Sequence, residues 1–125
     1  MAYSDSIKFV VGDTRPVISI ALKDSNTAAA GATLDPQDST TWATISLASN
    51  DYVKMYIRKV GSTTLAATLT ASNINTSNGT ADFTPTTSTF TSAGTYEGEI
   101  EIAYTGGIVQ TVHDLVKFNV RDDFN

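Results

Sequence analysis

An all-β fold in one domain is the class that the sequence predicts, on three observations. Apolar and polar side chains alternate with a period of two through most of the 125 residues, which is the pattern of half-buried strands. Turn signals rich in Gly, Asn and Ser separate the alternating segments. No segment combines a 3.6-residue period with helix caps. A chain of this length builds one core, so we expect residues 1–125 to form a single domain.

The first five predicted strands follow from the alternation and span 7–11, 17–23, 52–59, 64–70 and 80–84. Successive side chains of a strand point to opposite faces, so the apolar residues of one parity are expected to face the core. These inward side chains are Phe9, Val11, Ile18, Ile20, Leu22, Val53, Met55, Ile57, Leu65, Ala67, Leu69, Ala81 and Phe83.

The last third of the chain predicts the longest strands. Segment 96–104 alternates an apolar face with Glu97, Glu99 and Glu101, so one face is expected to be wet and acidic. Gly106 and Gly107 then predict a tight hairpin turn, and the return strand 108–112 is expected to continue through 113–114 to residue 120. Seven to eight short strands at this spacing indicate an immunoglobulin-like antiparallel β-sandwich.

Residues 24–50 interrupt the pattern and predict one long insertion loop. Loops of this length are uncommon in compact domains unless they are functional or disordered. Two interpretations remain open: a surface excursion with Trp42 packed over one end of the core, or an arm that reaches a neighbouring subunit. For the second, the expected interface residues are Pro36, Trp42, Ile45 and Leu47.

Composition excludes several function classes. The formal net charge is −5, with 8 Lys and Arg against 13 Asp and Glu, so no basic patch for nucleic acid is expected. The Cys count of 0 removes disulfides, thiol nucleophiles and thiolate metal sites, and the single His excludes sites that need two histidines in one chain. No run of about 20 apolar residues is present to span a membrane.

Candidate catalytic groups all have a simpler interpretation. The four acids around the insertion are expected to be solvated carboxylates and turn caps, because nothing places them in an apolar pocket. The three glutamates of segment 96–104 are expected to face solvent. Contact with a partner is the second interpretation, and a Ca²⁺ site is the third. His113 and Asp114 are neighbours on a strand and point to opposite faces, which argues against a triad. We therefore expect no enzyme activity, no metal and no cofactor. The four acids are Asp24, Asp35, Asp38 and Asp51.

Turn residues are expected to have structural roles. Gly12 permits a positive φ, and the Asp13 side chain can accept backbone N–H groups in the turn that continues to Thr14. Gly94 opens the acidic-faced strand, and the Tyr96 hydroxyl is expected to return to the backbone as a corner residue.

Taken in chain order, these motifs resemble the N-terminal immunoglobulin-like domain of upper baseplate proteins of tailed bacteriophages, a domain also found in other tail and virion proteins. The similarity covers nearly the whole chain, but the family has a short turn where this chain has residues 24–50. The motifs are Phe9-Val10-Val11-Gly12-Asp13-Thr14, Val17-Ile18-Ser19-Ile20-Ala21-Leu22, Asp51-Tyr52-Val53-Lys54-Met55-Tyr56-Ile57-Arg58-Lys59, Asn78-Gly79-Thr80-Ala81-Asp82-Phe83, Gly94-Thr95-Tyr96-Glu97-Gly98-Glu99-Ile100, Thr105-Gly106-Gly107-Ile108-Val109-Gln110-Thr111 and Phe118-Asn119-Val120.

The resemblance implies a noncatalytic structural protein of the virion that docks on tail, baseplate or neck proteins. It also implies a homo-oligomer or several copies in the particle. Capsid decoration is the runner-up within this class. A carbohydrate-binding β-sandwich is the alternative from another class, with Trp42, Tyr52, Tyr56 or Tyr104 as stacking platforms. The chain starts without a basic or an apolar leader region, so no signal peptide is expected and assembly would take place in the bacterial cytoplasm.

Overall fold

The computed structural model describes residues 6–48, 50–112 and 115–124. It confirms the all-β prediction, with a single 3₁₀ turn, Ser39–Thr41, among short strands. The strands are β1 Ser6–Val10, β2 Ile18–Ala21, β3 Lys23–Ala28, β4 Trp42–Thr44, β5 Asn50–Lys59, β6 Leu65–Thr70, β7 Asn73–Asn75, β8 Thr80–Phe83, β9 Gly94–Tyr104, β10 Val109–Thr111 and β11 Val116–Arg121.

The strands form two sheets and a hairpin. The large sheet has the order β1-β11-β9-β5-β6, with β10 also paired to β9, and the small sheet has the order β2-β8-β7. The described strand pairs are antiparallel except that β1 runs parallel to β11, which departs from the purely antiparallel sandwich that the sequence predicts. The predicted final strand is divided into β10 and β11, and two of the four residues between them, His113 and Asp114, lie outside the described part of the chain.

One apolar core lies between the two sheets. The large sheet contributes Met55, Ile100 and Phe118, and the small sheet contributes Ile18 and Phe83 to the same cluster of buried side chains. Face-to-face packing of this kind makes the architecture a β-sandwich. Most of the side chains predicted to face inward are buried, while Leu65 is about half exposed.

Four aromatic rings fill one end of this core. Phe90, which lies between β8 and β9, has its ring centroid 5.1 Å from Phe9, 5.1 Å from Tyr96 and 5.2 Å from Phe118. The tilted and edge-to-face arrangements are those that aromatic pairs prefer. These contacts tie β1, β9 and β11 of the large sheet to the segment that connects β8 with β9.

The 24–50 insertion is a paired hairpin rather than an unpaired loop. β3 and β4 are antiparallel, and the chain after β4 returns to the core. Leu22 links the hairpin to the small sheet, because its amide donates to Gly79 and its carbonyl accepts from Ile45. Gly79 has φ +65°, and a Cβ there would clash with Thr44, so the close approach of β4 requires glycine at this position.

Candidate functional site

The outer surface of the large sheet carries many charged and tyrosine side chains close together, and we call this surface the charged face. Its residues alternate along β5, β9 and β11 with the buried residues of the core, as the period of two requires. On the opposite, core face of β9, Gly98 leaves room for the Met55 side chain, since a Cβ there would lie 2.8 Å from the Met55 sulfur. The charged face consists of Tyr52, Lys54, Tyr56, Arg58, Glu97, Glu99, Glu101 and Lys117.

Strand register places opposite charges beside each other on this face. Glu97 of β9 lies opposite Arg58 of β5 and opposite Lys117 of β11, and Glu101 lies opposite Lys54. Directly opposed charges of unlike sign stabilise a sheet by roughly 0.2 to 1 kcal/mol a pair. The row of glutamates predicted to be an acidic face is therefore flanked by cations, and the face as a whole alternates in sign.

Two tyrosines converge on one carboxylate of the charged face. The hydroxyls of Tyr52 and Tyr56 donate to the same oxygen of Glu101, at 2.8 and 3.1 Å. The ammonium of Lys54 lies 4.3 Å from the centre of the Tyr52 ring, within cation–π range. These contacts hold both phenol rings in fixed positions on an otherwise exposed surface.

The pKa values of Tyr52 and Tyr56 are both raised above that of free tyrosine. For Tyr52 the main cause is the hydrogen bond to Glu101, and for Tyr56 it is desolvation, followed by the bond to Glu101. Because the pKa of each phenol is higher in the folded state than in the unfolded state, the neutral phenols stabilise the fold. This contribution is complete below the unfolded-state pKa of about 10. That contribution is lost as the pH rises through the folded-state pKa.

We expect Glu101→Gln to lower the pKa of Tyr52 and Tyr56 towards the value of free tyrosine, because it removes the negative charge that opposes phenolate formation. Ultraviolet absorbance during an alkaline titration measures this change. Glu97→Gln is the matched control, since Glu97 accepts no phenol, and it should leave the tyrosine titration unchanged. Equal shifts in the two variants would contradict the geometry.

A groove of about 440 Å³ lies on the charged face. Its floor is formed by Tyr56, Arg58 and Glu99, and the loop after β5 forms one wall with Ser62 and Thr63. An aromatic ring beside charged groups and hydroxyls can stack on and hydrogen-bond to a polar ligand.

A second groove of about 270 Å³ lies at the β1 edge of the large sheet, and we call it the basic groove. Its charged side chains are Lys8, Arg15 and Arg121, with one carboxylate, Asp13. Three cations against one anion make this edge locally positive in a chain whose formal net charge is −5.

Three of the four expected interface residues are core residues of this chain. Trp42 is 2% exposed, and its indole N–H donates to the carbonyl of Asp35 at 2.9 Å. Ile45 and Leu47 are buried in the main cluster. Only Pro36 is exposed. The hairpin turns Trp42, Ile45 and Leu47 back onto its own chain, so these three side chains present no exposed apolar surface.

Three of the acids around the insertion act as turn caps. Asp24 accepts from the Asn26 amide at 2.9 Å, Asp35 from the Gln37 amide at 2.9 Å, and Asp38 from the Thr40 amide at 3.0 Å. The hydrogen bonds from Thr40, through its hydroxyl and then its amide, lower the pKa of Asp38. The side chain of Asp51 lies outside the described part of the structure.

The predicted turn residues occupy tight connections. Gly12, Gly94, Gly106 and Gly107 all have positive φ. The Asp13 amide donates to the Val10 carbonyl at 3.1 Å, while the exposed Thr14 follows in the same connection.

Tyr96 links the start of β9 to the preceding loop. It is buried, and its hydroxyl donates to the carbonyl of Ser92 at 2.7 Å. The hydroxyl thus returns to the backbone four residues upstream, which is the geometry of a corner residue.

Within the described residues, no three His, Asp or Glu side chains lie close enough together to hold a metal ion. The same residues contain no helix with the length and apolar character needed to cross a membrane.

The resemblance carried by the sequence motifs has no counterpart in the comparisons with known proteins. No protein-family model matches the chain, and no curated protein is significantly similar to it.

Proposed function

We propose that this protein is a noncatalytic structural component of a tailed-bacteriophage particle, with an immunoglobulin-like sandwich that docks on other virion proteins through the charged face. The ordered sequence motifs support the virion context. The observation that carries the docking role is the alternation of charge on the large sheet, with Tyr52 and Tyr56 held by Glu101.

The chemistry of the charged face suits a protein partner. Tyr and Arg are the residue types that contribute most to protein interfaces, since they cover a large area and still form hydrogen bonds. Rows of alternating sign select a partner with the complementary pattern and disfavour others through like-charge contacts. Tyr56 and Arg58 lie on the same face of β5, opposite Glu99 and Glu97 of β9.

Lysine labelling of purified particles tests both parts of the proposal. Peptide mapping should find the chain in the particles. Lys54 and Lys117 of the charged face should lose reactivity towards an amine reagent relative to the free protein, because the partner covers them. Lys23 lies on the β3–β4 hairpin, where its ammonium donates to the Ser39 carbonyl at 3.3 Å, and should react equally in particles and in the free protein. Absence of the chain from particles would refute the virion role, and unchanged labelling would refute the docking face.

A charge reversal gives a second test of the docking face. Arg58→Glu should lower incorporation into particles at least tenfold, because it places an anion beside Glu97 and opposes the partner's complementary charge. Arg15→Glu makes the same change of charge in the basic groove and is the matched control. Equal incorporation of both variants would contradict docking through the charged face.

We place the protein on the tail, baseplate or neck, with several copies in the particle, and keep capsid decoration as the alternative. Immunogold labelling of intact particles distinguishes the two. Label confined to the tail or neck supports the first position, and label spread over the head supports the second.

A carbohydrate-binding module is the second candidate function, and the groove on the charged face favours it. Tyr56 provides a stacking platform beside hydroxyl and carboxylate groups, whereas the buried Trp42 has no surface to offer. Glycan-array binding that is lost in Tyr56→Ala and kept in Tyr52→Ala would support this function, because Tyr52 does not line the groove. Absence of binding across a broad array would reject it.

A further inference from the structure

Strands β6 and β7 contain no charged residue. Between Lys59 and Asp82 the sequence contains no Asp, Glu, Lys, Arg or His. β6 is the last strand of the large sheet, and β7 is the last strand of the small sheet. Natural proteins protect exposed edges with charges, prolines or bulges, because an unpaired strand is a template for another strand. β6 has a register irregularity at its start but neither a charge nor a proline.

Register defines which backbone groups of β6 face outward. The Ala71 amide donates to the Val53 carbonyl at 2.8 Å, and the pairing continues in register from there to Ile57 opposite Ala67. Hydrogen bonding in an antiparallel pair alternates along the strand. Ala67 and Leu69 therefore bond to β5, and the amide and carbonyl groups of Thr68 and Thr70 point away from the sheet. The register shift falls at Ala66, so for this residue the alternation assigns only the carbonyl, which shares a peptide group with the Ala67 amide and points outward. Ala66, Thr68 and Thr70 are all exposed.

The opposite edge of the large sheet is protected. β1 carries Lys8, and the basic groove places Arg15 and Arg121 beside it. A second strand with the same charges would be repelled there. The β1 and β6 edges thus differ, and of these two the β6 edge accepts a copy of itself without opposing like charges.

We propose that β6 pairs antiparallel with β6 of a second copy of this chain, across a two-fold axis at Thr68. The large sheets of the two copies then form one continuous sheet. In this register Thr68 faces the partner's Thr68, and Ala66 faces the partner's Thr70. The Thr68 pair exchanges two hydrogen bonds, and each Thr70 amide donates to the partner's Ala66 carbonyl, so the outward amides of Thr68 and Thr70 are all used.

Side chains in this register are compatible on both faces. On the core side, Ala67 lies opposite the partner's Leu69, and both are apolar. On the outer side the opposed residues are Thr with Thr and Ala with Thr, which suits strand pairing. In a two-fold interface the same residues of both copies face each other. An uncharged strand can therefore pair with its own copy without bringing like charges together. The pairing does not depend on the proposed function, because it uses a different surface.

Sedimentation and amide hydrogen exchange of the full chain test the pairing. The weight-average mass should rise with concentration from 13.3 kDa towards twice that value. The amides of Thr68 and Thr70 should gain at least tenfold protection over the same range, while the Leu69 amide, bonded within the chain, is protected throughout. A chain that stays monomeric at millimolar concentration, with a fast-exchanging Thr68 amide, would overturn the proposal.

Two substitutions locate the interface. Thr68→Pro removes an outward amide and should raise the dissociation constant at least tenfold, and prolines are tolerated at edge positions of this kind. Thr68→Lys keeps the amide but opposes two ammonium groups across the axis, and should also weaken the dimer. Thr63→Lys, in the loop before β6, is the control and should leave the dissociation constant unchanged. Added salt should leave the parent dimer intact. A dimer that survives both Thr68 variants, or that dissociates in salt, would refute the interface.

Discussion

Phe118→Ala is expected to lower the free energy of unfolding by about 3 to 5 kcal/mol. Phe118 is fully buried, and its ring contacts Phe90 and Phe9 at centroid distances of 5.2 and 6.1 Å. The substitution leaves a cavity between the sheets that rigid strands cannot close. Since domains of this size are stable by about 5 to 15 kcal/mol, the loss is a large share of the total. Urea unfolding followed by circular dichroism measures it.

Asn119→Ala is the matched control for Phe118→Ala. Asn119 is the next residue of β11, and its exposed side chain points to the outer face. We expect a change within about 0.5 kcal/mol, as for most surface substitutions. A similar loss in both variants would mean that the core does not lie where the alternation and the structure place it.

Trp42→Ala is expected to destabilise the fold by about 3 to 5 kcal/mol, as fits the first of the two interpretations that the sequence left open for residues 24–50. The indole ring is buried within the β3–β4 hairpin, outside the main apolar cluster. Its removal also leaves the Asp35 carbonyl without the indole donor. Circular dichroism in urea measures the loss, and hydrogen exchange should show the amides of β3 and β4 opening first.

Trp42→Phe is an intermediate variant. It keeps an aromatic ring in the hairpin but removes the N–H donor and part of the buried ring volume. The expected loss therefore lies between that of one hydrogen bond, about 1 kcal/mol, and that of Trp42→Ala. Pro36→Ala changes an exposed residue of the same hairpin and should have little effect. Trp42→Ala with unchanged stability but impaired binding to a partner would return Trp42 to the interface role.

The alternation with a period of two predicted the central strands β5 and β9 well, because the two faces of the large sheet differ in chemistry. Along β5 and β9, one face is apolar and the other is charged, so a shift of one residue would bury Lys54 or Glu99. The buried residues Val53 and Ile100 lie on the predicted faces. This pattern fixes which side chains point inward, and it needs no information about neighbouring strands.

The β3–β4 hairpin escaped prediction for the opposite reason. β3 has an intermediate and exposed burial pattern without alternation, and its pairing with β4 shifts register between Asp24 and Ala28. Local sequence does not encode such a bulged pair clearly, since its stability comes from Trp42 and from the return of Ile45 to the core. The β3–β4 hairpin is therefore a folded element whose amino-acid composition is that of a loop.

The alternating signs of the charged face were only half visible in the sequence. The glutamates of β9 stand out as a row, but their cationic neighbours are on strands distant in the chain. Arg58 and Lys117 meet Glu97 through strand register, and register depends on the packing of the whole core. The same holds for the convergence of two tyrosines on Glu101.

Sequence by itself determined the all-β class, the inward residues of the main strands and the turns at glycine, because backbone geometry and burial act locally. Tertiary structure alone decided the strand order, the parallel β1–β11 pair, the burial of Trp42 and the free β6 edge. Those features depend on which strands become neighbours, and that choice is made by the packing free energy of the complete core.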